Sequence, residues 1–520
     1  MSKHKDNSNN ISLAKKLFSR KFDKKSILAS IWPIYSHELL KFFSIAFLMF
    51  CILFVQNVIR ATKDSVVNTM IGSEALPFLK FWGVMPAVIL YAIIYVKLVN
   101  IFKPESLFYI VISSFMAFFG FFGFVLLPKH EMLHMSTEYA DYLILHYPNM
   151  KWFILIIGNW GFSLFYIISE IWPNAVYSVL FWQFVNGITT VDESKRFYPM
   201  FALFGQTGLF FSGSLLMMQS NIGKYLHYEY GIASMPKIAS LQFVIFVVVL
   251  CGIMSIAAFR YINFRILETR ANNLIEFRAD KKKKMSIAQS FKFVASSRYI
   301  LLIAMMLTCY GISINLVEGP WKKMINTVYS STEDYLAFVG SYLRMTGILT
   351  IVFVLLGSNI VRIFGWFPAA IITPIVMFVT GLIFYSTASF GEMIPGMYLW
   401  VGYDPIILAI AFGAIQNVIT KSTKYTVFDS TKEMAYVPLD NELKVRGKAA
   451  ADSVGIKLGK SASAFIQSLI FVIFPWATFE MISPYLMVIF VLVCLVWFWA
   501  VGALSKEYDT LTRKNKSKQK

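Results

Sequence analysis

The sequence has few charged residues and few cysteines for its length. Only 15% of its 520 residues are charged, against about 25% in an average soluble domain, and this excludes a soluble globular protein. Its four cysteines lie in apolar runs without paired spacing, and its six histidines are scattered. Neither a disulfide framework nor a metal site is therefore predicted, and we expect no cofactor.

Long charge-free apolar runs dominate the chain instead. Examples are 42–59, 106–128, 238–259 and 481–505. About 20 predominantly apolar residues cross the hydrocarbon core as a helix, whereas a transmembrane barrel would show alternating segments of roughly 10 residues. The run lengths predict an all-α polytopic membrane protein.

Apolar runs and turns together predict twelve transmembrane helices in two six-helix bundles. The spans lie near 40–60, 77–98, 105–127, 151–189, 198–219, 238–260, 299–318, 335–357, 363–387, 404–430, 449–474 and 481–504. The predicted domains are a basic N-terminal tail (1–37), a first bundle (38–260), a basic central loop (261–298), a second bundle (299–505) and a basic C-terminal tail (506–520). The fourth and tenth spans look long and interrupted, the fourth by Pro173.

The net charge of +19 is concentrated in these tails and loops. Cytoplasmic loops of membrane proteins carry an excess of Lys and Arg, so the pattern places both termini in the cytoplasm. It favours a solvated, lipid-facing basic surface over a nucleic-acid site. We expect no cleavable signal or transit peptide before the first apolar run, and we expect a bacterial inner membrane.

A short internal repeat supports the division into two bundles. Tyr177 begins Tyr-Ser-Val fifteen residues before Asp192, and Tyr425 begins Tyr-Thr-Val fifteen residues before Asp440, with a basic cluster after each aspartate. Both copies lie at corresponding places in the predicted halves. Carriers made of two such repeats place their substrate site near the bilayer midplane, between the halves.

Four charged residues border or interrupt long apolar runs: Lys63, Glu170, Glu318 and Lys460. A charge at the centre of a membrane helix costs about 2.5–3.5 kcal/mol on insertion scales, so such residues usually line a pathway or a site. Two lysines divided between the halves suggest a carrier of polyanions.

Each of these residues also has a plainer interpretation. Lys63 could pair with Asp64, and Glu170 could pair with a lysine, line an aqueous cavity or bind a proton. Glu318 could be a carboxylate at a helix end, since Gly-Pro follows it and predicts a break. Lys460 follows a glycine but is not in a Walker A loop, because the required glycine six residues earlier is Val454.

Six strings in order resemble the nucleotide (ATP/ADP-type) translocases of obligate intracellular bacteria and plastids, from about residue 31 to 508. They are Thr62-Lys63-Asp64, Glu170-Ile171-Trp172, Lys195 to Phe201, Asn315 to Trp321, Lys432 to Asp440 and Leu458 to Ser461. The resemblance implies a major-facilitator-like fold and exchange of nucleotides. It also implies that Lys63, Glu170, Glu318 and Lys460 are the functional charges.

The sequence thus predicts a nucleotide antiporter that works by alternating access. Lys63 and Lys460 would bind the substrate phosphates, and Glu170 and Glu318 would balance charge or couple transport. The alternative is a proton-coupled net importer of nucleotides or NAD, so phosphate and protons are both candidate co-substrates. No catalytic Ser/His/Asp arrangement is present, so we expect a transporter and not an enzyme. We also expect a monomer in the lipid bilayer.

Overall fold

The computed structural model describes residues 32–267, 297–357, 365–391, 402, 404–440 and 443–519. Throughout these ranges the regular structure is helical and contains no strand, so the all-α prediction is confirmed. The predicted N-terminal tail up to residue 31 and most of the predicted central loop, 268–296, lie outside the described residues.

Twelve long helices coincide with the twelve predicted spans. They are α1 Leu39–Met70, α2 Ala75–Ile101, α3 Pro104–Leu126, α4 Trp160–Ile188, α5 Val191–Tyr230, α6 Pro236–Tyr261, α7 Arg298–Val328, α8 Thr332–Gly357, α9 Trp366–Phe390, α10 Pro405–Ala435, α11 Lys448–Ile473 and α12 Phe479–Gln519. Among the described residues, ten helices are long and apolar enough to cross a membrane.

Both α5 and α11 pack closely on other helices through small residues. Gly213 of α5 lies against Gly340 of α8, and Gly459 of α11 lies against Gly311 of α7. Small residues let helix backbones approach closely within a membrane. These two helices therefore use their small residues for contact with protein.

The fourth and tenth helices are interrupted, as predicted. The π-helical segment Pro173–Phe181 lies within α4, and a second one, Lys424–Phe428, lies within α10. Pro173 has no backbone N–H and cannot make the regular hydrogen bond. A π-helical turn inserts an extra residue and changes the direction of the side chains that follow it.

The predicted break at Gly319-Pro320 is wrong. Helix α7 continues from Arg298 to Val328 with Pro320 inside it. The tertiary contacts of the following turn support the helix, because Trp321 Nε1 donates a hydrogen bond of 2.9 Å to the backbone oxygen of Ile410. The continuous helix places Lys322 one turn beyond Glu318.

We call α1–α6 the N-terminal half and α7–α12 the C-terminal half. Successive helices alternate in direction, so α1 begins at the end of the bundle that also holds the end of α12. We call this the terminal end, and the opposite end, where α1 and α7 finish, the loop end. Each half has its own large cluster of buried apolar side chains, although the start of α2 joins the C-terminal cluster.

Candidate functional site

Nine charged side chains lie together between the two halves, and we call them the charged layer. Its members interact through ion pairs or at longer electrostatic range. Six are cations and three are carboxylates, which gives a formal charge of +3. The four residues predicted from sequence are all members. The layer consists of Arg60, Lys63, Asp64, Lys80, Glu170, Glu318, Lys322, Lys421 and Lys460.

Lys63 is the most deeply buried member, with 2% of its surface exposed. Its Nζ lies 2.7 Å from Asp64 Oδ1 and 2.8 Å from Glu170 Oε1. It also lies 3.8 Å from the ring centroid of Tyr166, in cation–π geometry. A lysine this buried is normally paired. The two plain interpretations of Lys63 and Glu170 as ion-pair partners therefore hold in this conformation.

Glu318 is shared by four cations. Its Oε1 lies 3.7 Å from Arg60 and 3.6 Å from Lys421, and its Oε2 lies 3.8 Å from Lys80 and 3.6 Å from Lys322. Arg60 and Lys80 belong to the N-terminal half, whereas Lys322 and Lys421 belong to the C-terminal half. Glu318 is thus the shared counter-ion of both halves.

A shorter ion pair also joins the halves. Lys322 Nζ lies 2.9 Å from Asp64 Oδ2, while the other oxygen of Asp64 accepts from Lys63. Lys80 additionally donates a hydrogen bond of 2.8 Å to Asn315 Oδ1 across the same interface. The charged layer is therefore part of the contact between the halves.

The side chain of Lys460 is exposed, as is that of Arg60. Within the described part of the chain, no carboxylate lies within 4.0 Å of Lys460 Nζ, although it interacts at longer range with Glu170 and Glu318. A Cβ on the preceding Gly459 would lie 2.6 Å from the backbone oxygen of Thr308. This close crossing of α7 and α11 fixes Lys460 beside the layer.

Polar contacts close the loop end of the bundle. Ser65 Oγ donates to the Thr332 oxygen at 3.1 Å, and Asn68 Nδ2 donates to the Tyr335 hydroxyl at 2.8 Å. Of the hydrogen bonds found between the halves in the described ranges, all lie at this end or in the charged layer. Since Lys460 is nevertheless exposed, we infer that solvent reaches the layer from the terminal end.

Sequence reasoning missed four cations of the layer: Arg60, Lys80, Lys322 and Lys421. Lys80 lies in the predicted second span, and Lys421 in the predicted tenth. The burial cost that singled out Lys63 would have found both if it had been applied to every lysine inside a predicted span. Lys322 was hidden by the predicted helix break, because a broken helix would not place it beside Glu318.

Comparisons with known proteins agree with this architecture. A family model described as TLC ATP/ADP transporter matches residues 19–508. ADP,ATP carrier protein 4 of Rickettsia conorii is 54% identical over 480 residues, covering 92% of this chain and 94% of that protein. ADP,ATP carrier protein 4 of Rickettsia felis is 53% identical over 504 residues, covering 96% and 98%.

A solved structure has a similar fold. The crystal structure of a mutant of the nucleoside transporter NupG superposes with a TM-score of 0.53, covering 89% of this chain and 99% of that chain, at 8% sequence identity. At this identity the likeness concerns the fold alone. The major-facilitator-like prediction is thereby confirmed.

Proposed function

Because the chain belongs to the TLC ATP/ADP transporter family, we propose that it exchanges nucleoside di- and triphosphates of the ATP/ADP type by alternating access. It acts as a monomeric transporter without enzymatic activity. Its membrane is the bacterial inner membrane, with both termini in the cytoplasm. The observation that carries the proposal is the charged layer, whose cations outnumber its carboxylates six to three.

The excess of cations suits a polyphosphate. A nucleoside di- or triphosphate carries several negative charges, and hydrogen bonds between ammonium groups and phosphate oxygens are charge-assisted and strong. Lys460 is exposed and has no carboxylate within ion-pair distance in the described part of the chain, so we assign it the first contact with phosphate. Lys63 contacts phosphate by exchanging one of its two carboxylate partners for the substrate.

The two glutamates have different geometries and different proposed roles. Glu170 pairs with Lys63 inside the N-terminal half, so it holds that lysine when the site is empty. Glu318 lies between cations of both halves, so it helps to hold the halves together. A phosphate that attracts Arg60 competes with Glu318 and weakens this contact.

Exchange follows from the charge balance. An empty site would carry uncompensated cations through a closed state, and unpaired charge in a low-dielectric interior costs several kcal/mol. Bound nucleotide supplies the missing negative charge, so the loaded carrier reorients faster. A barrier difference of about 1.4 kcal/mol already changes a rate tenfold.

Uptake into vesicles tests the proposal. Purified protein is reconstituted, and uptake of a panel of labelled nucleotides is measured with and without internal nucleotide, with protein-free vesicles as the control. We expect vesicles preloaded with nucleotide to take up label at least tenfold faster than empty ones. Absence of uptake of every nucleotide would contradict the proposal.

The alternative is net import of nucleotides or NAD driven by protons. In that case empty and preloaded vesicles would take up label at equal rates, and an uncoupler would abolish accumulation. Exchange predicts that the uncoupler has no effect on preloaded vesicles. Adding phosphate to the vesicle interior shows whether phosphate is a co-substrate.

A further inference from the structure

The two Tyr-containing triplets of the internal repeat lie on the two π-helical segments. Tyr177 belongs to the segment Pro173–Phe181 of α4, and Tyr425 belongs to the segment Lys424–Phe428 of α10. π-Helical turns inside α-helices are found frequently at functional sites. Neither tyrosine is a member of the charged layer, so the phosphate contacts proposed above do not use them.

Both tyrosines lie on the terminal-end side of the charged layer. Tyr177 follows Glu170 by seven residues, and Tyr425 follows Lys421 by four, in helices that run from the loop end to the terminal end. At 1.5 Å per residue these separations correspond to about 6–10 Å along the bundle. A solute that enters from the terminal end passes the tyrosines before it reaches the charges.

The two side chains face the space between the halves. The spacing of seven residues from Glu170 to Tyr177 and of four from Lys421 to Tyr425 places each tyrosine on the helix face that bears a residue of the charged layer. The rings of Tyr177 and Tyr425 are not in contact with each other. Tyr425 is 41% exposed, and the Lys424 Nζ lies 4.4 Å from its ring centroid. Tyr177 is half-buried and stacks on Phe181 with a centroid distance of 5.9 Å. The ring of Tyr177, which stacks on Phe181, and the exposed ring of Tyr425 thus lie beside the route to the charged layer.

We propose that Tyr177 and Tyr425 bind the base of the transported nucleotide, one ring from each half, while its phosphates occupy the charged layer. This inference rests on the proposed function and adds a site for the base. Aromatic rings stack on a base through its π-face, which every nucleobase has, so stacking is tolerant of base identity. The ribose spans the distance between the rings and the cations.

Competition experiments separate the base site from the phosphate site. Uptake of labelled ATP into preloaded vesicles is measured against unlabelled ATP and against inorganic tripolyphosphate, which has no base. Alanine substitutions at stacking aromatics cost about 1–3 kcal/mol per base, which corresponds to roughly fivefold to a hundredfold. We expect Tyr425→Leu and Tyr177→Leu to raise the half-inhibitory concentration of ATP by a factor in this range and to leave that of tripolyphosphate unchanged.

Matched variants check the cause of the change. Tyr425→Phe keeps the ring, so its half-inhibitory concentration of ATP should be lower than that of Tyr425→Leu. Lys460→Ala should weaken both competitors. Tyr485→Leu removes a tyrosine that is 70% exposed in α12 and should change neither. If the Leu variants transport too slowly to assay, binding of the same two competitors is measured on detergent-solubilised protein by thermal shift.

Three outcomes would overturn the inference. The first is equal inhibition of the wild type by ATP and by tripolyphosphate. This result would exclude a site for the base but would not contradict nucleotide exchange. The second is an equal change for both competitors, or no change for either, in the Leu variants. The second outcome includes Leu variants that transport more slowly but are inhibited by both competitors as the wild type is. In that case the tyrosines would act as a gate and not as a site for the base. The third is a wild type that takes up no nucleotide, which removes the proposed function as well.

Discussion

Replacing Glu318 with glutamine should open the loop end. Glu318→Gln keeps the size of the side chain and removes the negative charge that lies between Arg60 and Lys80 of one half and Lys322 and Lys421 of the other. The charge interactions that remain across the interface are repulsion between these cations and the ion pairs Lys322–Asp64 and Lys323–Glu74.

The expected magnitude follows from the distances. Two unit charges about 3.7 Å apart attract by about 4 kcal/mol at an effective dielectric constant of 20. The Arg60 side chain is 49% exposed, so its contribution is screened to about 1 kcal/mol or less. Lys80 is 23% exposed and keeps more of its contribution. The summed loss of attraction between Glu318 and these cations agrees with the 3–5 kcal/mol typically lost when one partner of a buried pair is removed. This loss corresponds to at least a hundredfold change in the equilibrium between the closed and the open loop end.

A cysteine at position 65 reports on the closed end. Ser65 is fully buried and bonds to the Thr332 oxygen, while the four native cysteines are buried or half-buried. In a Ser65→Cys background, detergent-solubilised protein is treated with a polar maleimide and the rate of labelling is measured. We expect Glu318→Gln to raise this rate at least tenfold, since labelling requires the halves to separate at the loop end.

The control is Glu480→Gln, which removes an exposed carboxylate at the same end of the bundle and should leave the rate unchanged. Size-exclusion profiles verify that each variant is folded. Equal labelling of the Glu318→Gln variant and its parent would refute the idea that Glu318 holds the halves together.

Further predictions concern the lysines and a glycine. Lys460→Ala should weaken apparent nucleotide affinity at least about tenfold, because a charge-assisted bond is worth about 1.5–3 kcal/mol, without lowering the melting temperature in detergent; normal affinity would exclude a phosphate contact. Lys63→Ala should lower both affinity and melting temperature, because it leaves Glu170 without its ion pair; an unchanged melting temperature would contradict the pairing. Gly459→Ala should reduce the yield of folded protein, since its Cβ would meet backbone at 2.6 Å, whereas Gly502→Ala has nothing within 4 Å and should be neutral; equal yields would contradict the close crossing.

The positions of the helices could be predicted because the bilayer sets a single length scale. Apolar runs of about 20 residues are visible without knowledge of tertiary contacts, and all twelve predicted spans coincide with helices. The behaviour of Pro320 could not be predicted in this way. Whether a proline breaks a membrane helix depends on neighbours that satisfy or support the following turn, and here Trp321 bonds to α10.

The site could be predicted in part from the cost of burying charge. That cost identified Lys63, Glu170, Glu318 and Lys460, and the structure places them in one cluster, although their roles in transport stay a prediction. Which cation pairs with which carboxylate could not be predicted. The four cations around Glu318 come from α1, α2, α7 and α10, and their convergence depends on how separate helices pack.

The glycine contact between α7 and α11 has a consequence for how transport should respond to salt. Because Gly311 and Gly459 hold these helices together, Glu318 and Lys460 keep a constant separation when the halves move. Lys63 and Glu170 likewise stay paired within the other half. Reorientation then works against the electrostatic attraction of Arg60 and Lys80 to Glu318, of Lys322 to Asp64 and of Lys323 to Glu74. Ionic strength acts on exposed charges far more than on buried ones, so added salt should alter turnover mainly through Arg60.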